Sequence, residues 1–207
     1  MAADYTLYLV ADADYASGRD LPGLVKAAVA GGVTVVQLRA KSLAGREFVE
    51  LGSEIARALA GTGVPLLVND RVDVAVACGA AGVHLGQEDV PVRLARSLLG
   101  PAGTIGVSVN TEEEARRAEL EGADYVGAGP AFATSTKATD LPVLGPDGIG
   151  RIKRAVRVPV VAIGGIGPGN AAGLAGAGAD GIAVVSAILG APDARQAAGE
   201  LRRAFGR

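Results

Sequence analysis

The sequence predicts an α/β protein that folds as a single (β/α)8 TIM barrel, and three observations support this. Eight short apolar runs, most of them rich in valine or isoleucine, alternate with helical patterns almost from end to end. Most runs are continuously apolar, as expected of parallel strands that are covered on both faces. Eight strand–helix units fit a chain of 207 residues, which we expect to form one domain over residues 1–207. An open doubly wound sheet is the competing architecture, but no GxGxxG turn follows the first strand.

The predicted strands follow one another at regular spacing. In chain order they are Leu7–Ala11, Val33–Leu38, Pro65–Asn69, Gly82–His84, Thr104–Val107, Tyr125–Gly127, Val160–Ile163 and Gly181–Val184. Among the helices between them, Leu21–Ala30 ends at a glycine pair, which is a common stop signal. Thr111 with Glu114 three residues later has the pattern of a capping box, which predicts a helix start at this position.

Four junctions between a helix and a strand share a phrase of small residues that leads into an apolar run. They read AGGVTVVQLR, ACGAAGVHLG, LEGADYVGAG and AGAGADGIAVV. The phrases form a weak internal repeat, which indicates that similar local units recur along the chain.

Composition excludes several function classes. Twenty basic residues against 22 acidic ones give a net charge of −2, so nothing indicates a surface for nucleic acid or for an anionic membrane. No apolar run reaches the length of a membrane span, and the N-terminus MAADYTLYLVADAD has no signal-peptide pattern. The single Cys78 cannot form an internal disulfide and is expected to be a buried, inert thiol. We therefore expect a cytoplasmic protein that binds small molecules, with its oligomeric state undetermined.

The loops after the carboxyl ends of the strands form the active site in (β/α)8 barrels, so polar residues at those ends are candidate functional residues. After the second strand, Gln37, Arg39 and Lys41 alternate along the chain, so that an amide, a guanidinium and an ammonium group can point the same way. Two cations at one barrel mouth suit a polyphosphate or a carboxylate. An ordinary solvated loop is the alternative.

Carboxylates follow the next two strands. Asp70 comes directly after Asn69 at the end of the third strand, and Asp89 follows the fourth. Oxygen ligands of this kind, completed by phosphate, are those that Mg²⁺ prefers. Helix capping by each aspartate is the alternative. His84, the only histidine, is expected to be a hydrogen-bonded residue that supports the structure or the neighbouring site residues, and a catalytic base is the alternative. With a single histidine, a histidine-rich zinc site is excluded and a serine-hydrolase triad is not expected.

The remaining strand ends supply hydroxyl groups and small residues. The fifth strand is followed by a hydroxyl and an amide, on Ser108 and Asn110. The long segment after the sixth strand contains three hydroxyls and a cation, which suit phosphate, on Thr134, Ser135, Thr136 and Lys137. Backbone N–H groups can face an anion after the last two strands, around Gly165 and at Val185 and Ser186. Phosphate sites recur at these two places in this fold.

Taken in order, these segments resemble the thiamine-phosphate synthase family from about residue 7 to residue 188. The matching segments are YLVAD, QLRAK, LLVNDRVDVA, GVHLGQEDVP, GVSVNTEEEA, GADYVGAGPAFATSTK, VPVVAIGGI and GADGIAVVSAI. That family joins 4-amino-5-hydroxymethyl-2-methylpyrimidine diphosphate to thiazole phosphate, or to its carboxylated form, and releases pyrophosphate. The resemblance therefore implies a Mg²⁺-dependent transferase of thiamine biosynthesis.

The resemblance also implies a role for each candidate residue. The pyrimidine diphosphate would be bound by Gln37, Arg39, Lys41, Asn69, Ser108 and Lys137, of which the catalytic residues would be Arg39, Lys41, Ser108 and Lys137. Mg²⁺ would be held by Asp70 and Asp89, and the thiazole phosphate by Thr134, Ser135, Thr136, Gly165, Val185 and Ser186. Departure of pyrophosphate would leave a pyrimidine cation stabilised by its own amino group, so that no strong general base is required.

One departure from the family is Asn110, where the family often has histidine. An amide cannot transfer a proton at neutral pH, which argues against the related barrel enzymes that tautomerise the thiazole carboxylate phosphate. Two alternatives to the synthase stay open. One is another phosphate-binding barrel enzyme, such as that tautomerase or a sugar-phosphate epimerase. The other is a non-catalytic regulatory barrel that keeps only the thiazole-phosphate pocket.

Overall fold

The computed structural model describes residues 3–136 and 140–206. Its eight parallel strands close into a barrel in which each strand pairs with its neighbours in chain order and β8 pairs with β1. The strands are β1 Leu7–Asp12, β2 Val35–Arg39, β3 Leu66–Asn69, β4 Gly82–Leu85, β5 Thr104–Val109, β6 Tyr125–Ala128, β7 Val160–Ile163 and β8 Gly181–Val184. The helices are α1 Leu21–Ala30, α2 Gly45–Leu59, α3 Val72–Cys78, α4 Val92–Leu99, α5 Glu112–Glu121, α6 Gly145–Ala155, α7 Ala171–Gly176, α8 Ser186–Leu189 and α9 Ala194–Phe205. The predicted (β/α)8 fold is confirmed, and the open doubly wound sheet is excluded.

Five strands run one or two residues further at their carboxyl ends than predicted. The added residues remain in the sheet: Asp12 is the register partner of Arg39, and Ser108 is the register partner of Gly127. Arg39 and Ser108 are therefore strand residues rather than loop residues. Since β2 ends at Arg39, the predicted alternation does not continue to Lys41. The capping box at the start of α5 is confirmed, because Thr111 Oγ1 accepts from Glu114 N at 3.1 Å and Glu114 Oε2 accepts from Thr111 N at 3.3 Å.

The internal repeat has a structural basis at the amino ends of the strands. Before each even-numbered strand, the chain turns at a glycine with positive φ, and these glycines are Gly32, Gly79, Gly122 and Gly178. Two residues later, a backbone N–H donates to a carbonyl of the preceding odd-numbered strand. These bonds, all with an N···O distance of 2.8 Å, join Thr34 to Leu7, Ala81 to Leu66, Asp124 to Ile105 and Asp180 to Val160. The four junctions thus fix strand pairs in the same register.

Side chains reinforce three of the four junctions. The backbone N–H of the same odd-strand residue donates back to Thr34 Oγ1 at 3.1 Å, to Asp124 Oδ2 at 2.7 Å and to Asp180 Oδ2 at 2.8 Å. Arg96 and Lys153 pair with the two carboxylates, each at 2.7 Å. Ala81 has no side-chain group that could make the fourth bond.

Apolar residues fill two regions, the layer between the barrel and its helices and the amino-terminal half of the barrel interior. Inside the barrel, Tyr8 and Tyr125 pack with Leu67 and Val161. Gly106 makes room for the Tyr125 ring, since a Cβ at this position would overlap it. The interior is therefore packed below and open above, toward the carboxyl ends of the strands.

Cys78, at the end of α3, packs against the outer core and is half-buried rather than fully buried. Burial raises the pKa of its thiol, so less of it is present as the reactive thiolate at neutral pH. No helix in the described part of the chain is long and apolar enough to cross a bilayer.

Candidate active site

A cavity of about 870 Å³ lies at the carboxyl ends of the strands, and all eight strands contribute to its wall. The candidate residues that line it are Gln37, Arg39, Asn69, Ser108, Thr134, Ser135, Thr136, Gly165, Val185 and Ser186. Lys41, Asp70 and Asp89 are not part of the wall, although each is close in sequence to a residue that is. Lys137 lies outside the described residues.

An ion pair holds Arg39 at the cavity. Arg39 Nη1 donates to Asp12 Oδ2 at 2.5 Å, and the side chain of Asp12 is only 5% exposed. The other oxygen, Asp12 Oδ1, accepts from the backbone N–H groups of Asp14 and Tyr15, both at 3.0 Å. The carboxylate is therefore fixed on both sides, and it fixes one edge of the guanidinium in turn. The strand-end reasoning missed Asp12, which is the last residue of the first strand and belongs to the segment YLVAD.

The two aspartates predicted to bind Mg²⁺ lie side by side. Asp70 accepts a hydrogen bond from Lys41 Nζ, and its carboxylate is within hydrogen-bonding reach of that of Asp89. Asp89 Oδ2 also accepts from Gly86 N at 2.6 Å. Burial and the neighbouring Asp70 carboxylate raise the pKa of Asp89. Two carboxylates in contact repel one another when both are ionised, and a bound cation relieves that repulsion.

Neither aspartate caps a helix, so the capping alternative is wrong. The N-cap residues of α3 and α4 are Arg71 and Pro91, and neither helix start has a side-chain cap bond. Asp70 instead adopts a left-handed backbone with φ of 60°, alone among the described non-glycine residues. Its N–H donates to His84 O at 2.9 Å. Such strained backbone is concentrated at functional sites.

The donor set of this pair fits a hard divalent cation that is only partly coordinated by protein. Carboxylate oxygens are the ligands that Mg²⁺ prefers, and the ion usually takes one or two of them together with substrate phosphates and water. Within residues 3–136 and 140–206, no cluster of three or more His, Cys, Asp or Glu side chains could hold a metal by itself. The remaining ligands of a cation here would have to come from a diphosphate and from water.

Hydrogen bonds join the polar groups on the cavity floor. Tyr8 OH donates to Gln37 Oε1 at 2.7 Å, and Gln37 Nε2 donates to Asn69 Oδ1 at 2.7 Å. Gln37 is buried, with 5% of its surface exposed. The amide of Gln37 is thus held between a phenol and a second amide.

The same chain of hydrogen bonds continues to Ser108. The hydroxyls of Tyr8 and Tyr125 are 2.8 Å apart, and Tyr125 OH lies 2.8 Å from His84 Nδ1. His84 Nε2 lies 2.9 Å from Ser108 Oγ. The expectation that His84 is hydrogen-bonded is confirmed. Burial raises the pKa of both phenols well above the ordinary value, so each hydroxyl keeps its proton.

The wall near β7 and β8 combines hydroxyls with exposed backbone. Thr136 Oγ1 donates to Ser186 Oγ at 3.3 Å, which links the loop after β6 to the first residue of α8. Gly165 has φ of 63°, and a Cβ there would overlap the Ala133 carbonyl. Asn170 Nδ2 donates to Gly165 O at 2.9 Å and so fixes the turn after β7. These contacts bring the threonine-rich loop against the two strand ends.

Asn110 holds the loop after β6 at both of its ends. Asn110 Nδ2 donates to Gly129 O at 2.9 Å and to Pro142 O at 3.2 Å. Asn110 is buried, and its own N–H donates to Glu114 Oε2 at 2.6 Å. The residue that departs from the family resemblance therefore has a structural role in this chain.

Comparison with known proteins agrees with the fold. Residues 7–188 match the TMP-TENI family profile, described as thiamine monophosphate synthase. The thiamine-phosphate synthase of Albidiferax ferrireducens is 54% identical over 198 residues, which cover 95% of this chain and 90% of that protein. That of Moorella thermoacetica is 48% identical over 198 residues, which cover 96% and 94%. The solved structure of thiamine phosphate pyrophosphorylase from Pyrococcus furiosus has a TM-score of 0.90 at 40% identity, with 99% of this chain and 96% of that chain covered. The chain therefore belongs to the thiamine-phosphate synthase family of transferases.

Proposed function

We propose that the cavity joins 4-amino-5-hydroxymethyl-2-methylpyrimidine diphosphate to thiazole phosphate, or to its carboxylated form, and releases pyrophosphate. The observation that carries this proposal is the presence of two unlike sides around one cavity. Arg39 and the pair of Asp70 and Asp89 stand at the ends of β2 to β4, whereas the hydroxyls of Thr136 and Ser186 meet at the end of β8. The first side suits a metal-bound diphosphate, and the second suits a phosphate monoester.

The diphosphate side supplies the positive charge that the leaving group requires. Arg39, Lys41 and Lys137 would neutralise the departing pyrophosphate. Asp12 supports this role for Arg39, because it fixes the guanidinium at the cavity wall before substrate arrives. Lys41 is bonded to Asp70, and it would exchange that carboxylate for a phosphate oxygen when Asp70 binds a cation. The contribution of Lys137 rests on the family resemblance alone.

Asp70 and Asp89 are the residues that would hold Mg²⁺. Their side-by-side carboxylates support this assignment, as does the raised pKa of Asp89. When bound, the ion would offset the charge that develops on the departing diphosphate. We therefore expect turnover to depend on Mg²⁺.

The chain positions the two organic halves and has little proton transfer to perform. Gln37, Asn69 and Ser108 would hold the pyrimidine on the cavity floor. The thiazole phosphate would be bound by Thr134, Ser135, Thr136, Gly165, Val185 and Ser186. Loss of pyrophosphate from a benzylic-type carbon leaves a cation that the ring amino group stabilises, and the thiazole nitrogen then attacks that carbon. Holding this nitrogen in line behind the carbon is the main contribution of the protein.

The test is pyrophosphate release by the purified full chain, followed with a coupled assay. We expect pyrophosphate and thiamine phosphate in equal amounts when both substrates and Mg²⁺ are present, and neither product when one substrate is left out. Absence of pyrophosphate release would refute the synthase. Turnover of the thiazole compound without Mg²⁺ and without diphosphate would indicate the tautomerase instead. Calorimetric binding of thiazole phosphate without binding of the Mg²⁺-diphosphate would indicate a regulatory barrel.

A further inference from the structure

We infer that the hydrogen-bond chain on the cavity floor has a fixed direction, which holds His84 as the neutral tautomer protonated on Nδ1 and makes Ser108 a hydrogen-bond acceptor toward the ligand. Tyr8, Tyr125 and His84 then act as positioning residues, because they work through Ser108. The number of protons that each hydrogen-bonded group carries fixes this direction.

The direction starts at the amide of Gln37. An amide oxygen has no proton, so the 2.7 Å contact between Tyr8 OH and Gln37 Oε1 uses the hydroxyl proton of Tyr8. Reversing the Gln37 amide would also require reversal of the Asn69 amide, because Gln37 Nε2 donates to Asn69 Oδ1 at 2.7 Å. Tyr8 has only that one proton, and its buried hydroxyl stays un-ionised because burial raises its pKa. Tyr8 must therefore accept the next hydrogen bond.

Each following contact is fixed in the same way by the protons available. Tyr125 has to supply the proton of the 2.8 Å contact with Tyr8, and its hydroxyl then has none left for His84. The 2.8 Å contact of Tyr125 OH with His84 Nδ1 consequently needs a proton on Nδ1. His84 is taken in its neutral form, which carries a single ring proton, so Nε2 is an acceptor. Ser108 must donate its hydroxyl proton to Nε2 across 2.9 Å.

With its proton turned toward His84, Ser108 presents oxygen lone pairs to the cavity that it lines. The inference rests on the proposed function only for the identity of the ligand group that Ser108 meets. An aminopyrimidine offers N–H donors, and these become stronger donors as the ring acquires positive charge. An acceptor that is already oriented stabilises the charged state more than the neutral ground state. A serine free to rotate would lose part of this advantage.

A single spectrum tests the direction, because His84 is the only histidine in the chain. In the full chain labelled with [15N]histidine, long-range ¹H–¹⁵N correlation shows which ring nitrogen carries the proton. We expect a protonated Nδ1 and an unprotonated Nε2 in the ligand-free protein. A proton on Nε2, or on both nitrogens, would overturn the inference. This measurement needs no variant, so it stands even where a substitution prevents folding.

Variants test whether the neighbours set the tautomer. Tyr125→Phe removes the acceptor of the Nδ1 proton, and we expect part of the population to shift to Nε2, with Ser108 as acceptor. Gln37→Glu keeps an oxygen opposite Tyr8 OH and should retain the Nδ1 form. Tyr5→Phe is the matched control, since Tyr5 packs against Tyr125 with ring centroids 4.6 Å apart but makes none of the hydrogen bonds that link Gln37 to Ser108. An unchanged tautomer in Tyr125→Phe would contradict a role for Tyr125.

Kinetics test the consequence for the ligand. In the pyrophosphate-release assay, Tyr125→Phe should lower kcat/KM for the pyrimidine diphosphate about tenfold, mainly through kcat, which corresponds to one neutral hydrogen bond. KM for thiazole phosphate should not change, and Tyr5→Phe should leave kcat and both KM values unchanged. A rise in KM for thiazole phosphate as large as the loss in kcat/KM for the diphosphate would point to general damage and would overturn the positioning role. If the Nδ1 proton is observed and no pyrophosphate is released, the direction stands and the proposed function fails.

Discussion

Replacing Asp12 by asparagine tests whether the ion pair positions Arg39. Asparagine keeps an oxygen for the two backbone N–H groups at 3.0 Å and removes the charge opposite the guanidinium. Breaking a fully buried ion pair costs about 3–5 kcal/mol, whereas a hydrogen bond to a charged group is worth about 1.5–3 kcal/mol. The side chain of Arg39 is 22% exposed, against 5% for Asp12, so water can solvate part of the guanidinium. We therefore expect the free energy of unfolding to fall by about 1.5–3 kcal/mol.

The same substitution should weaken diphosphate binding. Without Asp12 the Arg39 side chain is free to rotate, and ordering it again on binding costs about 0.5–1.5 kcal/mol, or about two- to tenfold in KM. Initial rates of pyrophosphate release against diphosphate concentration, at saturating thiazole phosphate, measure this KM, and urea unfolding measures stability. Asp193→Asn is the control. Asp193 caps α9 through Gln196 N at 3.0 Å, and asparagine caps a helix equally well.

An alternative role for Asp12 makes the opposite prediction. Removing a carboxylate also makes the cavity more positive, which by itself would strengthen the binding of a diphosphate. A KM that is unchanged or lower in Asp12→Asn, with the control unaffected, would therefore show that Asp12 offsets the charge of Arg39 rather than positioning it. That result would refute the positioning role of Asp12.

Three other changes have expected outcomes. Asp70→Asn removes a proposed metal ligand and should lower kcat by more than about 100-fold, since losing only a hydrogen-bond partner of a ligand costs about 10–100-fold. Chelation of Mg²⁺ should stop pyrophosphate release reversibly, and sustained release in EDTA would contradict the metal role. Asn110→Ala deletes two hydrogen bonds to the loop after β6, so urea unfolding should show a loss of about 1–3 kcal/mol, and an unchanged midpoint would contradict this structural role. Ala81→Asp should add about 0.5–1.5 kcal/mol by accepting from Leu66 N, as its counterparts before β6 and β8 accept from the strands they join; no gain in stability would show that the fourth junction differs.

The order and type of the strands could be predicted from local patterns, because a parallel strand covered on both faces needs a continuous apolar run. The positions at which several strands end could not be predicted in this way. Arg39 and Ser108 are polar, and a hydropathy pattern ends where polar residues begin. Both still pair in the sheet and face the cavity. A pattern of hydropathy does not show that the barrel interior becomes polar toward one end.

The strand-end rule located many of the residues that line the cavity, because parallel strands bring their carboxyl ends to one face. It could not identify Tyr8 and Tyr125, which stand within apolar runs where a tyrosine is usually part of the core. Their hydroxyls meet Gln37 and His84 only through the stagger of the closed barrel. Asp12 directly follows the first predicted strand, but its ion pair with Arg39 could not be predicted, because a hydropathy pattern does not show which way either side chain points.

The repeat at the junctions before the even-numbered strands explains where the cavity opens. Three residues beyond each junction donor stand Gln37, His84, Gly127 and Ala183, all of which line the cavity. Because the four junctions make the same backbone bond, these residues form one layer of the barrel interior. The residues that β2 and β4 contribute to this layer have large, polar side chains, whereas those from β6 and β8 are small. A Cβ on Gly127 would already lie 2.9 Å from His84 Cε1. A difference in size between equivalent positions of the repeat, rather than the loops alone, therefore decides where this layer leaves the cavity open.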